Sequence, residues 1–279
     1  MSEYYCLVAG LPDVTFDGSK AGYSVEKFRE EIMPELSAED ARIVNLSFYK
    51  LDNANILLLL RYGNEVELQT LGCFTKEQLI DIISTAKEGD ARSKDVPAYM
   101  YDFLDYYFEN IEQNMFWEDI LCTYYYDYAV SAPNKFVAQW FEFNRNVNNI
   151  LVALLARKYK LSVSECVLGD DEVAEAIRTS GARDFGLAGT LDYLDEVVRL
   201  SENDKLQERE RQLDSMRLKW LEDNSVFNYF TVERLFVFLE LLIVVERWAK
   251  LDADTGMQRY KEIIEELKSG AVFTDDIKK

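Results

Sequence analysis

The sequence predicts an all-α protein, and three observations carry that expectation. It contains 4 Pro and 12 Gly in 279 residues, where average usage gives roughly 20 Gly and 14 Pro, and an all-β sandwich needs a turn signal about every 8–12 residues. Apolar residues recur at helical spacing: Met100, Phe103, Leu104, Tyr107, Phe108 and Ile111 stand at i, i+3, i+4, i+7, i+8 and i+11, the stripe of a core-facing helix. Helix-start signals precede such runs, with Ser37 and Asp40 in a Ser-x-x-Asp capping pattern and Asn134 placed after Ala132-Pro133. At 48% hydrophobic and 29% charged residues, the chain has the composition of a globular protein with a sizeable core.

Taken in order, Tyr4 to Gly10 reads as a short N-terminal strand closed by Gly10 and Pro12. Ser24 with Lys27-Phe28 opens a helix, Ser37 caps another, and Phe48 to Tyr62 is a strongly apolar helix. Residues 63–74 form a loop or a short strand pair, a helix follows Thr75, and 86–97 is the best linker. The rings of Phe116, Trp117, Tyr124, Tyr125, Tyr126 and Tyr128 fit helix–helix packing better than a stacking platform, because no basic residue lies between Asp102 and Val130 to hold a phosphate. Lys135 to Tyr159 is a long helix with a seam of Trp140, Phe143, Val147, Ile150 and Leu154. Gly169 ends a turn and Asp170 caps the next helix; Leu191 to Trp220 reads as one long charged helix. Asn224 or Thr231 opens the last core helix, through Lys250, and Gln258 to Lys268 closes the chain ahead of a short tail from Gly270.

Charge and residue usage exclude several functions. Lys+Arg 31 against Asp+Glu 51 gives a net charge of −20, which repels nucleic-acid backbones. With no histidine, imidazole acid–base chemistry and imidazole metal sites are excluded. Cys6, Cys73, Cys122 and Cys166 form no C-x-x-C pair, as expected for reduced thiols in the cytoplasm. Tyr4 to Leu11 lacks the basic flank of a signal peptide. Leu235 to Val245, interrupted by Glu240, is about half the ~20 residues a membrane span needs and reads as a buried core helix.

Two polar features invite a site. Asn144, Asn146, Asn148 and Asn149 crowd the long helix, where asparagine is unfavourable by about 0.5 kcal/mol or more relative to Ala. Asn148 and Asn149, with Asn55 in the earlier apolar helix, are therefore expected to bond neighbouring backbone. Asp170-Asp171 with Glu175 fits a loose carboxylate motif for Mg²⁺ and suggests, as an alternative, an all-α enzyme of the class I terpenoid synthase type. Its second motif is lacking: Asn203-Asp204 is followed by Gln207 and Arg211 at the remaining ligand places. There is no phosphate-binding Gly loop and no nucleophile elbow. No catalytic residue, cofactor or metal is expected, and a generic helical adaptor is a further alternative.

Asp52-x-x-Asn55-Ile56-Leu57 recurs 94 residues later as Asn146-x-x-Asn149-Ile150-Leu151, and Val232 through Arg247 has a similar layout without the asparagines. The stretch Phe141 to Leu151, followed by Ala156-Arg157-Lys158-Tyr159, resembles a helix of the C-type subunit of V-type (A/V-type) ATPases, the d-type subunit in eukaryotes. Leu191-x-x-Leu194 and Val232-Glu233-Arg234 follow that family's order. The start Tyr4 to Pro12 is similar to a bacterial variant family that stands in for this C-type subunit. The resemblance implies a funnel-like all-α protein of three related helical units, divided here as 1–88, 89–190 and 191–279. It implies a monomer when isolated, a non-catalytic coupler seating the central stalk on the membrane rotor ring of a proton- or sodium-translocating motor. Such a protein lies in the cytoplasm, peripheral to the membrane, and its acidic surface would complement basic patches on the stalk.

Overall fold

A computed structural model describes residues 4–16, 22–113 and 115–251. Among them are eleven α-helices and no strand: α1 (Tyr5–Ala9), α2 (Val25–Glu31), α3 (Ala38–Tyr62), α4 (Lys76–Glu88), α5 (Ala98–Glu109), α6 (Trp117–Val130), α7 (Lys135–Tyr159), α8 (Glu172–Thr179), α9 (Leu194–Ser201), α10 (Leu206–Asn224) and α11 (Val232–Lys250). The closing helix expected at 258–268 and the tail from Gly270 lie outside the described residues.

Local chemistry sets most boundaries. The Ser24, Ser37 and Asn134 side chains accept from the Lys27, Asp40 and Val137 amides. Thr75 and Gln78 exchange side-chain and backbone bonds in a capping box at the start of α4. Gly89 stops that helix in the left-handed region at φ 73°.

Three local expectations are corrected. Tyr4 to Gly10 is helical, not a strand: a single turn whose carbonyls on Cys6, Leu7 and Val8 are closed by Gly10 and Leu11 amides, while the Tyr4 amide donates to Phe230 O at 2.6 Å. Residues 63–74 hold no strand pair, because side chains of α3 take their backbone groups. The helix expected over 191–220 is two, α9 and α10: the Asn203 side chain accepts from the Lys205 amide at 3.0 Å and turns the chain between them.

Contacts between named residues establish the topology. Arg61 at the end of α3 pairs with Glu118 at the start of α6, and Tyr125 OH donates to Leu46 O further along, so α3 and α6 are antiparallel. The four-residue link 131–134 reverses α6 into α7. Lys158 meets Asp204, Asn148 meets Arg217, and Trp140 meets Trp220, so α10 runs against α7. Two sets thus repeat one plan: a 25-residue helix, a clasped loop, two shorter helices, and an antiparallel return. They are α3–α6 and α7–α10; the divisions at 88 and 190 fall within them, at the end of α4 and in the α8–α9 loop.

A continuous core joins both sets, centred on Phe103, Tyr125, Phe141, Ile150 and Phe236. Most of the rings crowding α6 pack here, Tyr125 edge-on to Phe141 at 5.8 Å, while Phe116 is exposed. A second core seals α2 and the N-terminal turn onto α3 and α11, through Tyr23, Phe28, Phe48, Leu235 and Phe238. As expected, Leu235 to Val245 is a core helix. Among the described residues no helix is long and apolar enough to cross a membrane.

Candidate functional site

The buried polar residues are concentrated on α3, α7, α10 and α11. Asn55 and Asn149 make the same construction. The Asn55 amide donates to Gln69 O at 3.0 Å and accepts from Gln69 N at 2.8 Å. The Asn149 amide donates to Leu168 O at 2.8 Å and accepts from Leu168 N at 2.9 Å. In each set a carboxamide on the long helix stands in for a strand partner and clasps the loop that leads to the next helix, satisfying both backbone groups of one residue.

Beside each clasp a glycine packs on a charged side chain. Asp52 lies under Gly72 and accepts from the Cys73 and Phe74 amides at 2.8 and 3.1 Å. Burial raises the Asp52 carboxyl above its ordinary range, against the opposing pull of those amides. Arg145 lies under Gly169, where a Cβ would fall 2.9 Å from Nη1 at a backbone φ of +84°. Its guanidinium pairs with Asp127 at 3.3 Å and with Asp171.

Asp171, rather than Asp170, caps α8, accepting from the Val173 and Ala174 amides. Asp170 and Glu175 both pair with Arg178. The three carboxylates of the Mg²⁺ motif are thus each in ion pairs with guanidinium groups. Of the second motif, Asp204 pairs with Lys158 and Arg211 lies over the Phe16 and Trp248 rings. Among the described residues no group of three or more Cys, Asp or Glu is placed to hold a metal ion.

Asn148 does something different from its neighbour. Its amide donates to Tyr126 OH at 3.1 Å and its carbonyl accepts from Arg217 at 3.0 Å, bonding side chains of α6 and α10 rather than backbone. Arg217 continues to Asp214, which also accepts from Arg247 and from Trp248 Nε1. Burial lowers the Arg217 pKa. Ser47 Oγ donates to the Glu240 carboxylate at 2.5 Å, tying α3 to α11. Asp214, which joins Arg217, Arg247 and Trp248, and Glu240 are buried carboxylates that no sequence motif marks. Their one signal is a lone carboxylate on an apolar stripe: Asp214 shares a face with Leu218 and Leu221 at i+4 and i+7.

Opposite the clasped loops, residues 8–16 and helices α10 and α11 enclose a groove of about 790 Å³, with Val14, Phe16, Leu218 and Phe238 on its walls and Asp13, Lys219, Glu222 and Arg234 on its rim. Val226 and Tyr229 also line it, and with Phe227 between them in the chain all three are exposed.

Residues 1–271 match the family described as Protein of unknown function (DUF2764), and the chain belongs to it. No curated protein and no solved structure matches the chain.

Proposed function

We propose that this chain is a non-catalytic coupling component of a rotary V-type ATPase or ATP synthase, seating the central stalk on the membrane rotor ring. The observation that supports this reading is the repeat: two antiparallel four-helix sets built around equivalent asparagine clasps, in a chain whose α7 resembles a helix of the C-type subunit. A part that transmits torque has to resist sliding between its helices. Ties that cross from helix to helix, the buried Ser47–Glu240 bond and the half-buried Arg217–Asn148–Tyr126 relay, oppose such sliding, because each must break before one helix can move past another. In this reading the protein works at the cytoplasmic face of the membrane without crossing it.

The test is binding of the purified chain to immobilised central-stalk subunits from the same organism. Micromolar or tighter binding is expected. Association should slow as salt rises from about 50 to 300 mM, because the −20 charge steers encounter over a Debye length that shrinks through about 10 Å. Dissociation should change less. No binding at micromolar concentrations, with both partners folded, overturns the proposal.

A further inference from the structure

The repeat places the same kind of exposed surface twice at one end of the molecule. Tyr62 and Tyr159 close the two 25-residue helices and are 63% and 64% exposed. Each follows a base paired with an acid at the start of the antiparallel return of its own set: Arg61 with Glu118 on α6 at 2.5 Å, and Lys158 with Asp204, two residues ahead of α10, at 3.8 Å. Beside those acids, at the beginnings of α6 and α10, stand Phe116 and Leu206, 80% and 62% exposed. Since α3 and α7 both run against α6, the ends of α3 and α7 and the starts of α6 and α10 lie on the same side of the bundle. Ile111, in the α5–α6 connection, adds a further exposed apolar side chain there. Large apolar side chains are thus left out of the core at matching places of the repeat.

Charge distinguishes this side. The loops and helix ends on this side carry Glu65, Glu67, Glu109, Glu112 and Asp119, all exposed and with no ion pair among the described residues. Of the bases there, Arg61, Lys158 and Lys205 are each bonded to an acid of this chain, Lys76 donates to Val66 O in the loop, and Lys160 has no ion pair among the described residues. The opposite end differs, since its groove has acids and bases in mixture. We propose that the end bearing Tyr62, Phe116, Tyr159 and Leu206 is a two-point docking surface for the basic, apolar-tipped end of one protein partner. Each point offers a tyrosine and a neighbouring apolar side chain inside an acidic rim, so apolar contacts hold the complex and the rim selects a basic partner. That this partner is the central stalk rests on the coupling reading above.

Two double variants, Tyr62→Ser/Phe116→Ser and Tyr159→Ser/Leu206→Ser, test the two points, with Phe227→Ser as the control at the far end. All five side chains are exposed, and unchanged melting temperatures would show that folding is intact. Against immobilised stalk subunits, each double variant should weaken binding at least tenfold, as loss of anchor residues does, and Phe227→Ser should leave it unchanged. If the native chain binds but both double variants bind equally well, or if Phe227→Ser alone abolishes binding, the surface is wrong while the coupling reading stands. A second probe works without the stalk: an amphipathic Leu/Lys helical peptide with hydrogen–deuterium exchange on the full chain. Protection at 109–119 and 202–208 is expected even if the stalk fails to bind; protection at 222–230 instead, or none at saturating peptide, overturns the proposal.

Discussion

The two loop clasps do the same job with opposite charge. In the first set, Asn55 holds Gln69 and the neighbouring Asp52 carboxylate takes two loop amides directly. In the second, Asn149 holds Leu168, and the neighbouring charge is the Arg145 guanidinium, which cannot accept a hydrogen bond. The second set therefore works through an intermediary: Arg145 grips Asp171, and Asp171 accepts the amides at the start of α8. What is shared is the geometry, a long helix reaching into a loop past a glycine. The charge that accompanies it is free to differ, provided every backbone donor finds an acceptor.

Asp52→Ala should produce the largest effect, because it leaves the Cys73 and Phe74 amides without their acceptor. A loss of about 3 kcal/mol in urea denaturation is expected; a loss near zero would break the comparison on its first side. The same carboxyl supplies a pH test. Burial raises its folded pKa, so the folded chain holds that proton longer than the unfolded chain does. This contribution is present at acid pH and is lost as pH rises. The stability of the native chain relative to Asp52→Asn should therefore fall as pH rises above about 4, the pKa of an unfolded aspartate. A relative stability that climbs as pH rises would reverse that direction.

Asn149→Leu comes next, at about 2 kcal/mol, with Asn55→Leu nearer to about 1 kcal/mol. Both remove two bonds, but Gln69 is exposed and water can replace what its backbone loses, whereas Leu168 is half-buried. Equal losses in the two melts would show that the clasps are interchangeable. Arg145→Met should cost about 1 kcal/mol or less. The Asp127 and Asp171 side chains it abandons are 56% and 35% exposed, and a methionine fills the same buried path. A loss as large as that of Asp52→Ala would show the guanidinium to be as necessary as the carboxylate.

The smallest effect is chemical. Burial and the Asp52 charge push the Cys73 thiol well above its ordinary range, and burial pushes Cys122 up to about 11. Cys6 is exposed. Alkylation followed by mass spectrometry at mildly alkaline pH should modify Cys6 first and leave Cys73 and Cys122 behind, since the thiolate is the reacting form. Early labelling of Cys73 would mean that the first clasp opens readily.

Much of the fold is legible in the sequence because its helices announce their ends. The bounds of α7 follow from Asn134 at one end and the basic pair Arg157-Lys158 at the other, and the repeated Asn-Ile-Leu step marks the two clasping helices. Short or broken elements are harder to read. Tyr4 to Ala9 has too few residues for a helical period to show, and its state depends on Phe230, far along the chain. Between α9 and α10 the residues on either side favour helix equally, so only the Asn203 turn separates them. The candidate surface is less legible still. Tyr62, Phe116, Tyr159 and Leu206 look like any apolar residues at helix ends until the antiparallel packing brings those ends to one side.

The second core has a consequence for synthesis. Its contacts join the extremes of the described chain: Tyr23 lies against Phe238, and the Val25 amide donates to Glu246 at 2.5 Å, 221 positions further on. While a ribosome is still making α10, Phe28, Val44 and Phe48 have no α11 to cover them. The first helical set can gather early through neighbouring contacts, but it emerges with one apolar flank open and waits for α11 to close it. During that interval a nascent chain needs either a chaperone or speed.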